Sequence, residues 1–158
     1  FVILSHDRRK LIHFNVTKHP TDEWTSRQLI EACPWVTDYK YLIRDRDSRY
    51  ASSFKERLSQ LNIEDIKTSY RSPWQNGYVE RVIGSIKREC LDHVIIINEN
   101  HLSNILHSYV KYYHNSRTHL GLNKNCPNPR TPQPIIYGNI HIASEVGGLH
   151  HRYERVQA

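Results

Sequence analysis

Strand-type and helix-type patterns alternate along this chain, and the alternation constrains its fold more than any other feature. Strand-like apolar runs, some alternating with polar residues, lie at residues 1–4, 11–16, 41–43 and 63–68. Apolar residues at helical spacing lie at residues 22–32, 52–61, 79–90 and 99–114. Interleaving of this kind predicts the α/β class, and the hairpin-like opening predicts that the sheet is mixed.

An acidic residue follows the apolar run Tyr41-Leu42-Ile43. Asp45 comes directly after this predicted buried strand, within the charged segment Arg44-Asp45-Arg46-Asp47. Ligand sites of α/β sheets gather at the carboxyl ends of strands, where a carboxylate can hold a hard cation. The alternative is a strand-ending turn, in which aspartate is common.

A second acid opens the strongest predicted helix. Val79, Val82, Ile83, Ile86 and Cys90 form its apolar stripe, at 3, 4, 7 and 11 residues from the first. Glu80 lies beside this stripe in the first turn, and Gly84 and Lys87 follow on the same side. These three form either a substrate-facing row or a solvated face on which Glu80 only complements the helix dipole.

Bulk properties narrow the choice of partners. The net charge is +6 and the pI is about 9.3, a balance that favours polyanions such as nucleic acid. The longest aliphatic run, residues 94–97, is far too short to span a membrane, so we expect no membrane partner. Three widely spaced cysteines predict small buried side chains in a reducing, intracellular compartment, which is cytoplasmic or at the nucleoid.

Three segments then carry a resemblance to a known family. Residues 43–50 resemble the "SDxGxxY" segment around the second acid of DDE-type recombinases, the retroviral-type integrases and insertion-sequence transposases. Residues 72–81 resemble their "SPxxNGxxER" segment, which carries the third acid, and residues 113–122 resemble their "YNxxRxHxxL" segment. The two acids are 80 − 45 = 35 positions apart, within the range of such cores.

The resemblance implies a fold and a metal site. It implies a ribonuclease H-like mixed sheet flanked by helices, with a catalytic core at residues 1–122. Proline, asparagine and glycine dominate from Gly121 onward, which predicts an irregular tail at 123–158 with a short strand near 140–142. Asp45 and Glu80 match the second and third acids, so both are predicted to be catalytic and to bind Mg²⁺ or Mn²⁺. Asp47 stands where the family has glycine, and it either assists the metal or caps the turn.

The first acid of the family has no counterpart in these residues. Residues 1–9 resemble the second strand and its turn, so Asp7 is predicted to be a turn residue. We therefore expect the first strand and the first acid to lie upstream of Phe1, and this fragment alone to be inactive.

Basic and polar residues around Glu80 are the predicted contacts to nucleic acid. They are Arg71, Trp74, Gln75, Asn76, Arg81, Gly84, Lys87 and Arg88. The cations would hold the DNA backbone, Trp74 and Gln75 would touch bases, and Gly84 would allow close approach. Trp74 could equally plug the sheet. Arg117 and His119 either contact phosphate or pack against the core.

The resemblance implies DNA integration or transposition by metal-dependent polynucleotidyl transfer: strand nicking, then attack by the 3′-hydroxyl on target DNA. The expected partners are mobile-element ends, target DNA and further copies of the chain. Two alternatives stay open. One is a non-catalytic nucleic-acid-binding module of the same fold, and the other is a ribonuclease H-like nuclease that cuts without joining.

Overall fold

The computed structural model describes residues 1–33 and 38–157. These residues form two compact units, residues 1–4 with 11–83 and residues 5–10 with 84–158. Helix α3 (Gly77–Glu89) begins in the first unit and ends in the second. The described chain contains both parallel and antiparallel strand pairs, in three two-stranded sheets.

The first unit alternates strands and helices. Its elements are β1 (Val2–Leu4), β2 (Leu11–Phe14), α1 (Asp22–Ala32), β3 (Tyr41–Arg44), α2 (Ser52–Gln60) and β4 (Glu64–Lys67). Strands β1 and β2 pair antiparallel, as the hairpin-like sequence predicts. Strands β3 and β4 pair parallel, with Tyr41 opposite Glu64 and Arg44 opposite Lys67.

The core of the first unit lies between the two helices and the strands. Leu29 of α1 packs with Phe54 and Leu58 of α2 and with Ile63, and all four are buried. Burying each such side chain contributes about 2 kcal/mol relative to exposure. The same packing holds β3 and β4 in place, because α2 is the connection between these two strands.

Helix α2 is capped by a residue from helix α1. The carboxylate of Asp22 accepts hydrogen bonds from the backbone amides of Ala51 (3.0 Å), Ser53 (2.9 Å) and Phe54 (3.1 Å). The free amides at the start of α2, which a local side chain commonly satisfies, are thus satisfied by a residue of α1 instead. Burial alone would raise the pKa of Asp22, but these hydrogen bonds outweigh it and lower the pKa.

The second unit contains α4 (Glu99–Asn115) and a hairpin of β5 (Asn139–Glu145) and β6 (His150–Val156). The expected short strand near 140–142 is present as part of β5, whereas the rest of the tail is less irregular than expected, because β5 and β6 pair over seven residues each. Gly147 and Gly148 take positive φ angles of 63° and 92° in the turn, where side chains are disfavoured. The division of the chain at residue 122 stays a prediction.

The core of the second unit is rich in tyrosine. Tyr109 and Tyr113 of α4 are 0% and 2% exposed and lie with Cys90, Ile86 and Val146 among the buried residues. Cys33, Cys90 and Cys126 are all free and buried, so the prediction of small buried side chains is confirmed. In the described part of the chain, no helix combines the length and apolar character needed to cross a membrane.

Candidate metal and nucleic-acid site

Asp45 lies at the carboxyl end of β3, where its side chain is exposed. Since β4 runs parallel to β3, the strand ends meet, and the Thr68 amide donates to the Arg44 carbonyl (2.9 Å). One oxygen of Asp45 accepts a hydrogen bond from the Asp47 amide at 3.3 Å. The second carboxylate oxygen is therefore available to a ligand at the edge of the strand pair.

The buried side chain of Arg44 links the carboxyl end of β3 to β4. Arg44 is 5% exposed, and its guanidinium donates two hydrogen bonds of 2.7 Å to Asp65 on β4. It also donates to the carbonyl of Asp45 at 3.1 Å and lies over the rings of Tyr50 and Phe54. Sequence reasoning missed this pair. A charged residue ending an apolar strand was its only signal, and its partner depends on the strand register.

Asp47 is held by its own neighbour. Its carboxylate accepts hydrogen bonds from the Arg49 amide (2.9 Å) and from the Arg49 guanidinium. These contacts lower the pKa of Asp47 to about 2. They agree with the second role that the sequence left open for Asp47, which is to cap the turn after β3. Burial raises the pKa of nearby Tyr50 to about 12, and the carboxylates of Asp45 and Asp47 add to that rise.

The segment after β4 is fastened to the end of β3. Arg46 Nε donates to the Thr68 carbonyl at 2.8 Å, and its guanidinium carbon lies 4.5 Å from the centre of the Tyr70 ring. The Gln75 side chain accepts from the Ser69 amide at 2.6 Å. The segment thus leads from the strand edge to a 3₁₀ turn at Pro73–Asn76 and directly into α3.

Glu80 occupies the first turn of α3 and is exposed. Within residues 1–33 and 38–157, its carboxylate takes part in no hydrogen bond or ion pair. The predicted apolar stripe is buried at Val82, Ile86 and Cys90, whereas Ile83 is 46% exposed. The stripe is therefore narrower than the sequence pattern suggested.

The predicted nucleic-acid contacts differ in exposure. Most are exposed: Arg71, Trp74, Gln75, Arg81, Lys87 and Arg88, while Asn76 and Gly84 are half-buried. The side-chain carbonyl of Gln75 already accepts a hydrogen bond from the Ser69 backbone amide. The space beside Gly84 is partly filled, because a guanidinium nitrogen of Arg88 lies 2.9 Å from the position that a Cβ on Gly84 would take. Trp74 is 73% exposed, so it does not plug the sheet.

Arg117 and His119 pack inside the second unit. The Arg117 guanidinium donates to both carboxylate oxygens of Glu89, at 2.7 and 2.5 Å, and Tyr109 donates to the same carboxylate at 2.7 Å. His119 is 7% exposed and lies edge-on to the Tyr113 ring, 4.8 Å between centroids. These contacts agree with packing against the core, the alternative to phosphate contact that the sequence left open for both residues.

The donor chemistry of the two acids suits a hard cation. Magnesium prefers oxygen ligands and is commonly bound by one or two carboxylates together with water and substrate phosphate. Asp45 and Glu80 both offer exposed carboxylates in the first unit. Among the residues that the structure describes, no group of three or more His, Cys, Asp or Glu is placed to hold a metal. The donor set available here is therefore at most two carboxylates.

Residues 61–127 match the family model described as integrase core domain. This segment contains Glu80, the loop before it and the residues through Cys126. Among curated proteins, none matches the chain. The predicted resemblance to DDE-type integrase cores is confirmed by the family match and by the structural likeness below.

A solved structure shows the same fold. A chain in the cryo-EM structure of the simian T-cell lymphotropic virus intasome in complex with PP2A regulatory subunit B56 gamma is 18% identical to this chain, with a TM-score of 0.61. The match covers 96% of this chain and 58% of that chain. The predicted ribonuclease H-like α/β class is confirmed by this likeness, and the chain spans little more than half of the one it matches.

Proposed function

We propose that this chain, which carries an integrase core domain at residues 61–127, serves DNA integration or transposition by metal-dependent polynucleotidyl transfer. The supporting observation is the pair of exposed carboxylates, Asp45 at the end of β3 and Glu80 at the start of α3. In the described residues, neither carboxylate is neutralised by an ion pair. Both are available to a cation.

Asp45 and Glu80 would hold Mg²⁺ or Mn²⁺, in keeping with the general metal dependence of integrase core domains. A divalent ion activates the attacking oxygen and stabilises the leaving oxygen in phosphoryl transfer. The protein has two tasks here. It presents both carboxylates to the ion, and it positions the DNA strand so that attack is in line. The buried Arg44 helps to position Asp45, since it donates a hydrogen bond to the backbone carbonyl of that residue.

We assign the positioning of DNA to exposed cations of the loop before α3 and of α3 itself. Arg71 precedes the 3₁₀ turn, and Arg81 directly follows Glu80 on α3. Lys87 and Arg88 lie in the last turn of the same helix. Cations of this kind bind phosphates without reading sequence, so affinity should be strongly salt-dependent. The solved relative is an intasome, and we propose DNA and further copies of this chain as partners.

Manganese binding tests the metal site without requiring turnover. Mn²⁺ titrations followed by water proton relaxation would compare the wild-type chain with Asp45→Asn and Glu80→Gln. Glu56→Gln is the matched control, because Glu56 is an exposed acid on α2. We expect tight binding with duplex DNA present, weakened by either site variant and unchanged in the control. Equal binding by all four proteins would refute the site.

The products of the reaction separate the remaining alternatives. In the metal-loaded full-length protein, joining of a labelled 3′ end to target DNA supports integration, whereas cutting without joining supports a nuclease. DNA binding that is indifferent to Mn²⁺ and to both variants supports the non-catalytic module.

A further inference from the structure

Two aromatic side chains in the segment that leads from β4 to α3 are unusually exposed. Tyr70 is 80% exposed and Trp74 is 73% exposed, which are the highest values among the aromatic residues that the structure describes. Both belong to the segment between β4 and α3. Large exposed aromatic rings beside basic residues are typical of surfaces on which nucleic-acid bases stack.

Tyr70 is held in place by Arg46. The Arg46 guanidinium covers one face of the ring at 4.5 Å, and its Nε is fixed by the Thr68 carbonyl at 2.8 Å. Because the ring is still 80% exposed, its opposite face is open. A ring held on one face loses little further freedom when a base stacks on the other, so the pair is preorganised for binding.

The segment that carries the rings is closed on itself. Ser72 Oγ donates to the Tyr70 carbonyl (3.2 Å), and the Gln75 amide donates to the Ser72 carbonyl (3.1 Å). Gln75 reaches back to the Ser69 amide at 2.6 Å. Arg71 completes the turn in the left-handed region, at φ 55°. Tyr70 and Trp74 are thus presented by a segment that its own hydrogen bonds shape.

We propose that Arg46 and Tyr70 form a platform on which an unpaired DNA base stacks, one residue along the chain from Asp45. The proposal rests on the proposed function and names the form of its substrate: a strand whose terminal bases are separated from the complement. The Arg46 guanidinium contributes its charge to the adjoining phosphate, and the open face of Tyr70 takes the base without sequence preference. The chain should therefore prefer an unpaired end to a blunt duplex.

The test compares three fluorescently labelled DNAs by anisotropy: a single strand of about 12 nucleotides, a blunt duplex of the same sequence, and a duplex with unpaired ends. The variants are Tyr70→Ala, Tyr70→Phe and Arg46→Lys. Tyr41→Ala is the matched control, because Tyr41 is 63% exposed and lies at the opposite end of β3.

We expect Tyr70→Ala to weaken binding of the single strand and the unpaired end roughly 10-fold, and to leave the blunt duplex within about 2-fold. Tyr70→Phe keeps the ring and should match wild type, while Arg46→Lys should fall between. Equal affinity of Tyr70→Ala and wild type for the unpaired DNAs overturns the platform alone. A wild-type chain that binds none of the three DNAs overturns the proposed function together with it.

Discussion

Arg44 and Asp65 join the parallel strands β3 and β4 through two hydrogen bonds of 2.7 Å. Arg44 is 5% exposed, and the side chain of Asp65 is 20% exposed. The same guanidinium donates to the carbonyl of Asp45. The strand pairing, the ion pair and the position of the proposed metal ligand therefore depend on one another.

Replacing Asp65 by alanine should destabilise the first unit strongly. The Arg44 guanidinium would stay buried without its partner, and removal of one member of a buried pair typically costs about 3 kcal/mol or more. Urea denaturation would measure the loss in the free energy of unfolding. Glu64→Ala is the control, because Glu64 is an exposed acid on the same strand. A similar small effect in both variants would show that the pair contributes little.

The pKa of Asp47 should depend on Arg49. Hydrogen bonds from Arg49 lower the pKa of the Asp47 carboxyl to about 2, so it stays ionised as the pH falls well below its ordinary value of 3.8. In Arg49→Gln we expect the pKa to return toward that ordinary value, because the charged donor is lost. Carboxyl ¹³C shifts followed through an acid titration would measure it. An unchanged pKa in the variant would exclude Arg49 as the cause.

The sequence predicted much of the secondary structure for local reasons. The apolar runs and helical stripes correspond to β1–β4 and α1–α4, and the side chains of Thr21 and Asn98 cap α1 and α4, a role that these residue types commonly take. Motif positions also placed Asp45 after a strand and Glu80 in the first turn of a helix. Each of these features is decided by residues within a few positions of one another.

Features that depend on distant residues were missed. The cap of α2 comes from Asp22, 29 positions before Ala51, and the partner of Arg44 lies 21 positions away on β4. A strand near 140–142 was expected, but its partner β6 and the hairpin that they form were not, because residues 150–156 alternate only weakly between apolar and polar side chains. Strand register and tertiary packing determine such partners, and neither can be predicted from the spacing of residues within a short segment.

Gly84→Ala would separate the two interpretations of the α3 surface. Alanine stabilises a helix by about 1 kcal/mol relative to glycine, and its Cβ would meet only the flexible end of Arg88, at 2.9 Å. We expect a higher free energy of unfolding. If DNA approaches the backbone at Gly84, the added methyl should also weaken DNA binding, by about 1 kcal/mol or more.

Denaturation and anisotropy on the same protein would check both expectations. Ser108→Ala, at an exposed position of α4, is the control for helix propensity without DNA contact. A stabilised Gly84→Ala with unchanged DNA affinity would assign this face of α3 to solvent.

His119 should make the second unit sensitive to mild acid. Burial, and then the positive charges of Arg117 and Arg9, lower the pKa of His119 to about 4. Among the described residues, its buried Nε2 has no hydrogen-bond partner, so a proton there would add an uncompensated charge. The unfolded chain binds this proton near pH 6.5, and the folded chain resists it down to about pH 4. Stability is thus complete above pH 6.5 and falls as the pH drops toward 4.

The full loss from His119 is about 3 kcal/mol, since each pKa unit corresponds to about 1.4 kcal/mol. His119→Gln removes this titration, so its unfolding free energy should change less between pH 7 and pH 4 than that of wild type. His114, whose pKa is also lowered by burial and by Lys10, titrates in both proteins and cancels in the comparison. The hydrogen bonds that Glu89 accepts lower the pKa of its carboxyl, against the effect of burial. The stability that depends on ionised Glu89 is therefore lost only at more acidic pH.

Urea denaturation at intervals of pH would measure both slopes, with His141→Gln as the exposed control. Parallel curves for wild type and His119→Gln would contradict a neutral, buried His119. A shallower curve for His119→Gln alone would show that burial of this imidazole keeps it neutral in the folded protein. The segment at residues 113–122 would then act by packing the end of α4 against Glu89, through Arg117.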